Sequence, residues 1–588
     1  MGTGHRAFVR KRTGWLFIIL LVAYLGLAAR LVVVQVARTD EYTAWADEIR
    51  YREDRIPAMR GSIRDRHGRD LVVSLETSSI FVNRNEVGDV ALAARRIARV
   101  LHDDPRRIEG KIHRSTDSIV WLRLQMDPRS ASDLIAGGGR IPGLGVQPDT
   151  KRVYPSGPLA AHILGFTNMQ DEGVEGLECR LNSILTGRDG LLRGEVDAQR
   201  CMIPQTRHLV RVPRHGRNVY LTIDASIQNI AEQALARMAN THRPQSACAI
   251  VLDAKTSQVL ALANYPSYDP NRARSYPASR WRNWAVADLY EPGSTLKVVT
   301  VAASLNEGID PRQIVGSCNG SMQIRGGRIR CSLHHPFMSG HGAVDMYKII
   351  RHSCNIGAAS LAFRLGPDRL YAYEKAFGLL DRTDCGFGCE AVGKMLPAQA
   401  WRPMKLANVG FGQGIAVTPL QMACVYATIA NGGVYVQPTI IREIRSADGT
   451  IVQRVKPGVR RRVISEAAAG ELTRMLASCV EEGTGKNARI KGRTVCGKTG
   501  SAQIPLPRGG YESDAFVASF MGFAPAYKPK LVIAVVVKRP KGSHFGATVA
   551  APVFREIGEK SLWYLKVPPD APADDENPRQ DGDRKSLV

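Results

Sequence analysis

The longest apolar stretch of the chain lies close to its N-terminus. Residues 14–36 carry a single charge, at Arg30, and are long and apolar enough to cross a bilayer. Basic residues precede this stretch, and the cytoplasmic flank of a membrane helix is typically basic: Arg6, Arg10, Lys11 and Arg12. The pattern predicts a single-pass protein of the cytoplasmic (inner) membrane, with a cytoplasmic segment at 1–13, an anchor at 14–36 and the rest outside. A cleaved signal peptide is the alternative, because Leu27-Ala28-Ala29 offers small residues for cleavage.

Between the anchor and residue 215 the periodicity changes several times. It predicts a polar helical stalk over 39–53, two strands joined by a turn at His67-Gly68, and an amphipathic helix over 90–101. We therefore expect a first domain of mixed helices and strands over 37–215.

A second pattern begins after His215-Gly216. The predicted elements are a strand over 218–224, a helix over 226–238 and an antiparallel hairpin of 247–252 with 259–263. This order indicates an α+β or α/β domain, over 216–565, with helices packed on an antiparallel sheet. The last residues, 566–588, are rich in Pro and Asp and poor in large apolar side chains, which is typical of a disordered tail.

Composition changes this picture in one respect. Apolar residues make up 44% and charged residues 23% of the 588 positions, as in ordinary globular proteins, but the formal net charge is +25. A basic balance fits nucleic acid, anionic lipid or an acidic polymer as a neighbour. The arginines are scattered and no zinc-finger or RNA-binding spacing accompanies them, so we do not expect nucleic acid to be the partner.

Eleven cysteines are an odd number for a chain whose domains are expected outside the cytoplasm. Most lie within apolar segments and fit ordinary core positions. One group is denser and surrounds a predicted turn at Gly326-Gly327: Cys318, Cys331, His334, His335 and His341. A hairpin closed by a disulfide, a zinc site and unpaired thiols all fit this spacing.

A candidate nucleophile opens the most apolar helix of the second domain. Pro292-Gly293 precedes Ser294, and the apolar run after Lys297 ends at Gly308, which predicts one buried helix opening at Ser294. Residues three apart share a helix face, so the Lys297 amine can reach the Ser294 hydroxyl. An apolar surround lowers the pKa of a lysine, which can then accept the serine proton. The alternative is a capping serine followed by a surface lysine.

Two further motifs follow in the order that this chemistry requires. Ser353-Cys354-Asn355 is the second, and Lys498-Thr499-Gly500-Ser501, expected at the end of a strand over 493–497, is the third. Each alone is typical of a turn or cap, but together with Ser294 and Lys297 they form the set found in penicillin-binding proteins and β-lactamases.

Each member of the set has an expected role in acyl transfer. Ser294 attacks a peptide carbonyl, and the backbone N–H groups of Ser294 and Ser501 form an oxyanion hole. Ser353 passes a proton to the leaving amine, while Asn355 holds Lys297 and the substrate amide. Lys498 and Thr499 bind a terminal carboxylate, such as that of D-Ala-D-Ala, and Gly500 lets the substrate backbone approach the strand.

The resemblance extends over most of residues 57–556, and the chain resembles a class B penicillin-binding protein, a monofunctional D,D-transpeptidase. Residues 60–71, 152–155 and 173–178 resemble the membrane-proximal pedestal of that class, and residues 410–414 and 418–421 resemble its transpeptidase domain. No glycosyltransferase domain precedes the pedestal, which favours class B over the bifunctional class A. The resemblance implies a penicillin-binding transpeptidase fold, covalent inhibition by β-lactams, and catalysis without a cofactor or a catalytic metal.

The resemblance also leaves alternatives open. Leu71 to Asn83 and Gly410 to Gln421 are most similar to the division-specific FtsI group, which implies a SEDS-family glycosyltransferase and other division-complex membrane proteins as partners. Cys318, Cys331 and Cys354 are instead similar to some elongation-specific relatives. A carboxypeptidase, a β-lactam sensor and a non-catalytic scaffold are further alternatives. Glu178 matches the Glu-x-x-Leu-Asn pattern of a deacylating base, but it precedes the other motifs, so we do not assign it that role.

Overall fold

The fold is described from a computed structural model of the full chain. Its described residues are 3–137, 141–197, 202–331, 339–456, 458–506 and 508–572. The chain divides into two compact units, each formed from three separate segments. The first unit comprises Met1–Met59, Glu76–Asp149 and Gly187–His215, and the second comprises Arg60–Leu75, Thr150–Thr186 and Gly216–Val588.

The first unit begins with a long apolar helix. An α-helix over Thr3–Val32 continues as a π-helical turn over Val33–Ala37, and the segment Phe8–Ala37 is long and apolar enough to span a bilayer. Its large side chains are exposed, Leu20 at 67% for example, because no other part of the described chain covers them. The predicted anchor at 14–36 lies inside this helix, and the predicted stalk follows as a helix over Thr39–Arg50.

The remainder of the first unit contains a small hydrophobic core and a separate sheet. Helix Val90–Leu101 lies where the amphipathic pattern predicted it and buries Ala94 and Ile97 against the strand pair formed by Asp70–Asn83 and Ile119–Met126. A separate three-stranded antiparallel sheet joins Tyr51–Ile56, Gly190–Glu195 and His208–Arg211. The other helices of this unit are Pro105–Arg114 and Pro128–Gly137.

The second unit contains the predicted strand pair around His67-Gly68. Ile63–Arg64 pairs antiparallel with the start of strand Asp70–Asn83, with Ile63 opposite Val72, and Gly68 turns the chain at a φ of +85°. Asn218–Leu221 adds to this pair in parallel and is followed by Ile441–Arg445 and Ile451–Arg454.

Glu178 is the centre of a buried ion-pair network in the second unit. Arg60 Nε donates to one carboxylate oxygen at 2.7 Å, and Arg152 Nε donates to the other at 2.6 Å. Arg60 also donates to Asn182 and Thr186. Both oxygens of Glu178 are thus engaged and the side chain is fully buried, so Glu178 has a structural role.

A five-stranded antiparallel sheet forms the core of the second unit. Its order is Val259–Tyr265, Ser246–Asp253, Leu531–Lys538, Tyr511–Ala524 and Cys496–Pro505, so the last of these is an edge strand. Helices Ala225–His242 and Ala551–Tyr564 cover one face, and helices Pro419–Ala430, Glu466–Glu481 and Lys297–Asn306 lie in the core on the other. Because both faces are covered, every position of Leu531–Val537 is buried and apolar. The predicted hairpin and the predicted arrangement of helices around an antiparallel sheet are confirmed.

Smaller elements complete the two units. The remaining helices are Ala161–Leu164, Gly176–Arg180, Asn182–Leu185, Trp284–Ala287, Met346–His352, Asn355–Leu365, Pro367–Ala376, Pro403–Gly410 and Gly546–Val549. The remaining strands are Leu144–Val153, Phe166–Thr167, Gly173–Glu175, Gly316–Cys318, Ser321–Ile324, Gly327–Arg330, Gly342–Val344, Val434–Val436 and Val459–Arg462. The start of the predicted tail is described as far as residue 572, and there Asp570 accepts a hydrogen bond from the backbone N–H of Thr494 at 3.0 Å. Residues 573–588 lie outside the described residues.

The Glu178 network gives a test of stability. Replacing Glu178 by Ala should lower the free energy of unfolding by about 3–5 kcal/mol, because it leaves two buried guanidinium groups without a carboxylate. Urea unfolding of the purified chain, followed by circular dichroism, measures the change. Glu559→Ala is the matched control, since Glu559 lies exposed in the same unit. Equal stability of the two variants would contradict the assignment.

Candidate active site

Ser294 lies in a short turn that leads into a buried helix. Gly293–Leu296 forms a 3₁₀ turn, here called the serine turn, and the α-helix proper runs over Lys297–Asn306. The predicted buried helix thus opens with a 3₁₀ turn, and its α-helical part begins at Lys297. The turn still places residue i+3 beside residue i, and Lys297 Nζ lies 3.1 Å from Ser294 Oγ.

The Lys297 amine joins two of the three motifs. It donates to Asn355 Oδ1 at 2.7 Å and to the carbonyl oxygen of Ser353 at 2.6 Å. The same nitrogen lies 3.2 Å from the Ser353 hydroxyl oxygen. The Lys297 side chain is fully buried. The structure thus brings together four of the predicted catalytic residues around one nitrogen atom.

The environment of Lys297 suits a base more than a cation. Burial, together with the nearby positive charge of Lys498, lowers the pKa of Lys297 to about 7. Close to neutral pH a substantial fraction of this amine is therefore unprotonated and can accept the Ser294 proton. Burial also lowers the pKa of Lys498.

The second motif is held by the junction of two helices. Ser353 ends helix Met346–His352 in a left-handed conformation, with a φ of +62°, and is 8% exposed. Asn355 begins the next helix, Asn355–Leu365, and its Nδ2 donates to the carbonyl oxygen of Arg330 at 3.0 Å. Because that bond fixes the amide, its oxygen is directed to Lys297.

The third motif lies within a strand and not at the end of one. Cys496–Pro505, here called the motif strand, begins at Cys496, so the predicted strand over 493–497 was placed too early. Lys498 is fully buried and its Nζ donates to the carbonyl oxygen of Thr499 at 3.2 Å. Ser501 is exposed, and its hydroxyl accepts a hydrogen bond from the backbone N–H of Gly546 at 3.0 Å.

Glycines allow the motif strand and the serine turn to touch. A Cβ at Gly500 would lie 2.4 Å from Ser519 Oγ and 3.0 Å from the Thr295 methyl group. A Cβ at Gly412 would lie 1.9 Å from the carbonyl oxygen of Gly293, whose own N–H donates to the Gly412 carbonyl at 2.8 Å. These close approaches explain the glycines of the third motif and of residues 410–414 by packing within the protein.

Some residues of the site were not identified from the sequence. The Thr484 hydroxyl lies 2.9 Å from that of Thr499, and nothing in its local pattern distinguishes it from other turn threonines. Cys354, inside the second motif, lies with Cys318, Cys331 and His341 in one cluster. Cys354 was recognised as a feature of the motif, but its position beside the other three depends on the fold. The other predicted members, His334 and His335, lie outside the described residues.

Two protein families match the chain. Residues 247–559 match the penicillin-binding protein transpeptidase domain, and residues 55–221 match the penicillin-binding protein dimerisation domain. The first match covers more than half of the chain and includes all three motifs. The chain therefore belongs to the class B penicillin-binding proteins.

Individual relatives are similar along nearly their whole length. Stage V sporulation protein D of Bacillus subtilis is 31% identical over 95% of this chain and 87% of that protein. Peptidoglycan D,D-transpeptidase FtsI of Escherichia coli is 30% identical over 96% of this chain and 94% of that protein. The crystal structure of penicillin-binding protein 3 of Mycobacterium tuberculosis complexed with aztreonam has a TM-score of 0.68 at 28% identity, over 88% of this chain and 99% of that one.

The pKa of Lys297 predicts a pH profile for acylation. Below about pH 7 the rate of covalent labelling by a fluorescent penicillin should fall by about tenfold for each pH unit, because only the neutral amine accepts the serine proton. Above that pH the rate should reach a plateau. Stopped-time labelling over a range of pH, with the protein shown to stay folded by circular dichroism, measures the profile. A rate that does not change across neutral pH would contradict the role of Lys297.

The packing at Gly500 predicts a second effect. Gly500→Ala should slow acylation by roughly tenfold to a hundredfold, because the added methyl group pushes the motif strand away from the serine turn. The matched control is Gly470→Ala, where a Cβ meets nothing within 4 Å on the helix Glu466–Glu481. The measurement is the rate of penicillin labelling of the two variants. Equal rates would show that the close approach of the motif strand to the serine turn is not required.

Proposed function

We propose that this chain cross-links peptidoglycan stem peptides in septal cell-wall synthesis, with Ser294 as the nucleophile. Membership of the transpeptidase family gives the reaction class. The observation that carries the assignment of residues is the buried Lys297 amine, within hydrogen-bond distance of Ser294, Ser353 and Asn355. A nucleophile and its base are thus in place before substrate binds.

The first half of the reaction forms an acyl-enzyme. Ser294 Oγ attacks the carbonyl carbon between the two terminal D-Ala residues, and its proton passes to Lys297 Nζ. The backbone N–H groups of Ser294 and Ser501 stabilise the oxyanion. The motif strand is an edge strand of the sheet in the described part of the chain, so its outer N–H groups have no neighbouring strand there and can face the serine turn.

Collapse of the intermediate breaks the peptide bond. The proton from Lys297 reaches the leaving amine through the Ser353 hydroxyl, which lies 3.2 Å from the lysine nitrogen. Terminal D-Ala departs, and Ser294 holds the rest of the stem as an ester. The amine of a second stem peptide then attacks this ester, loses a proton by the reverse route and releases the serine.

Recognition of the donor stem falls to the motif strand. The buried Lys498 supplies positive charge next to Thr499, and the Thr499 hydroxyl is oriented by Thr484. This combination suits the terminal carboxylate of D-Ala-D-Ala. A β-lactam presents the same carboxylate and a reactive amide, and the structures of the Mycobacterium tuberculosis relative were solved with aztreonam and with ampicillin. We expect β-lactams to acylate Ser294 here.

Transfer to an amine is favoured over hydrolysis. A hydrolase of the class A β-lactamase type adds a dedicated carboxylate that activates water against the ester, and the one patterned candidate, Glu178, is committed to two arginines. Among the described residues the polar partners of Ser294 and Lys297 include no carboxylate. Lys297 then serves both halves of the reaction.

A product assay tests this preference. The full-length chain, given a stem pentapeptide that ends in D-Ala-D-Ala and an amine acceptor, should yield a cross-linked product and release D-Ala. Ser294→Ala should lower both by at least about 10³-fold, since it removes the nucleophile. Ser304→Ala, in the helix that follows the serine turn, is the matched control, because Ser304 is buried and hydrogen-bonded within that helix. Trimmed tetrapeptide as the main product in the presence of acceptor would indicate a carboxypeptidase instead.

The division role rests on similarity and on the membrane anchor. One relative is named FtsI, and the division role is further supported by the resemblance of residues 71–83 and 410–421 to the FtsI group. The basic residues ahead of the apolar helix support a cytoplasmic N-terminus and an extracytoplasmic catalytic unit. In that position a SEDS-family glycosyltransferase and other division-complex membrane proteins would be its neighbours.

Depletion of the protein in the parent cell tests the division role. Cells that lose a septal transpeptidase should continue to elongate and form filaments or chains without completed septa, and a fluorescent fusion should concentrate at mid-cell. Rounded cells, with the fusion spread along the side wall, would indicate the elongation role. Complementation by the intact gene and by the Ser294→Ala variant separates catalysis from scaffolding.

A further inference from the structure

Three cysteines and one histidine converge beside the second motif. Cys318 ends strand Gly316–Cys318, which pairs with Gly342–Val344, and His341 directly precedes that partner strand. Cys331 follows the hairpin of Ser321–Ile324 and Gly327–Arg330. Cys354 is the N-cap residue of helix Asn355–Leu365. Four different segments thus supply one side chain each, and these four side chains are here called the Cys₃His cluster.

The distances within the cluster match those between the ligands of a single ion. The four ligand atoms all lie within 4.8 Å of one another. Zinc bonds of about 2.3 Å to sulfur and about 2.0–2.1 Å to nitrogen, in a tetrahedron, place two sulfur ligands about 3.8 Å apart and a sulfur and a nitrogen about 3.5–3.6 Å apart. The Sγ atoms of Cys331 and Cys354 are 3.8 Å apart, and His341 Nδ1 lies 3.4 Å from Cys318 Sγ and 3.5 Å from Cys331 Sγ.

The same distances do not describe a disulfide. A disulfide requires about 2.05 Å between sulfur atoms, far less than the separation of Cys331 and Cys354. Cys318 is fully buried, and its sulfur lies beside the ring nitrogen of His341, at 3.4 Å. A disulfide between two of the cysteines would also not involve His341, whereas three cysteines and one histidine form a frequent structural zinc site.

We propose that Cys318, Cys331, His341 and Cys354 bind one zinc ion, which holds the second catalytic motif in position. Two contacts connect the cluster to the motif: the backbone N–H of Asn355 donates to Cys331 Sγ at 3.4 Å, and that of Gly357 donates to Cys354 Sγ at 3.3 Å. Asn355 in turn accepts the hydrogen bond of Lys297. The ion therefore fixes the start of helix Asn355–Leu365 and, through Asn355, the orientation of the lysine.

The cysteines and His341 are positioning residues, and they do not touch the reacting atoms. Binding of the ion releases the protons of the three thiols, and no oxidant is required. The role in orienting Lys297 rests on the proposed function, whereas binding of the metal does not. Metal content and catalysis can therefore fail separately in an experiment.

Metal analysis of the full chain, purified in detergent without a polyhistidine tag, tests the proposal. We expect about one zinc per chain by inductively coupled plasma mass spectrometry. Replacement by cobalt should give the visible spectrum of a tetrahedral site with sulfur-to-cobalt charge-transfer bands. Cys331→Ser and His341→Ala should each lose about one equivalent of zinc, while Cys424→Ala, which removes a buried thiol from helix Pro419–Ala430, should retain it.

A second readout tests the link to the catalytic motif. Removal of zinc by a chelator, under conditions where circular dichroism shows the fold intact, should slow acylation by penicillin by about tenfold or more, and one equivalent of added zinc should restore the rate. An unchanged rate would overturn the positioning role alone.

The outcomes on the unaltered chain decide the proposal even if a variant fails to fold. Protein without stoichiometric zinc, or a cobalt spectrum without sulfur ligands, would overturn the metal site. A peptide map in which Cys331 is joined to Cys318 or Cys354 by a disulfide would overturn it as well.

Discussion

The catalytic geometry depends on one buried amine. Lys297 is fully buried, and each of its hydrogen-bond partners in the described part of the chain is neutral: a hydroxyl, an amide oxygen or a backbone carbonyl. An ammonium in this surround lacks the carboxylate that normally compensates a buried charge, so its pKa falls towards neutrality. The hydrogen bonds that offset burial of the Lys297 nitrogen also join the serine turn to the second motif. The same contacts therefore set both the pKa of Lys297 and the positions of the residues around it.

Close backbone packing brings the third motif into this arrangement. The motif strand reaches the serine turn because Gly500 has no side chain, and the turn itself rests on Gly412. The helices that carry Lys297 and Asn355 are held in turn by the core on one face of the antiparallel sheet. A zinc ion in the Cys₃His cluster would add a third restraint, on the helix start that carries Asn355. The sheet, the two glycines and the Cys₃His cluster therefore all help to fix the positions of the same polar groups, on Ser294, Lys297 and Asn355.

The sequence predicts those features that depend on local patterns. Two continuous apolar runs separated by a polar turn predict the hairpin of Ser246–Asp253 with Val259–Tyr265, and the three motifs are recognisable from their residue types and order. Features that depend on approach between distant segments were missed or misplaced. The start of the motif strand is set by pairing with Tyr511–Ala524, and the partnership of Cys354 with Cys318 is set by the fold of four separate elements. The pattern of residues within one segment does not predict which distant segment it will contact.

The central claim is that Ser294, activated by Lys297, forms a covalent acyl-enzyme. Labelling of the full-length protein with a β-lactam, followed by mass spectrometry of the intact chain and of its peptides, tests it most directly. The account predicts one adduct per chain, located on the peptide that carries Ser294. A folded protein that forms no adduct, even with its membrane partners present, or one that is labelled at another residue, would contradict it.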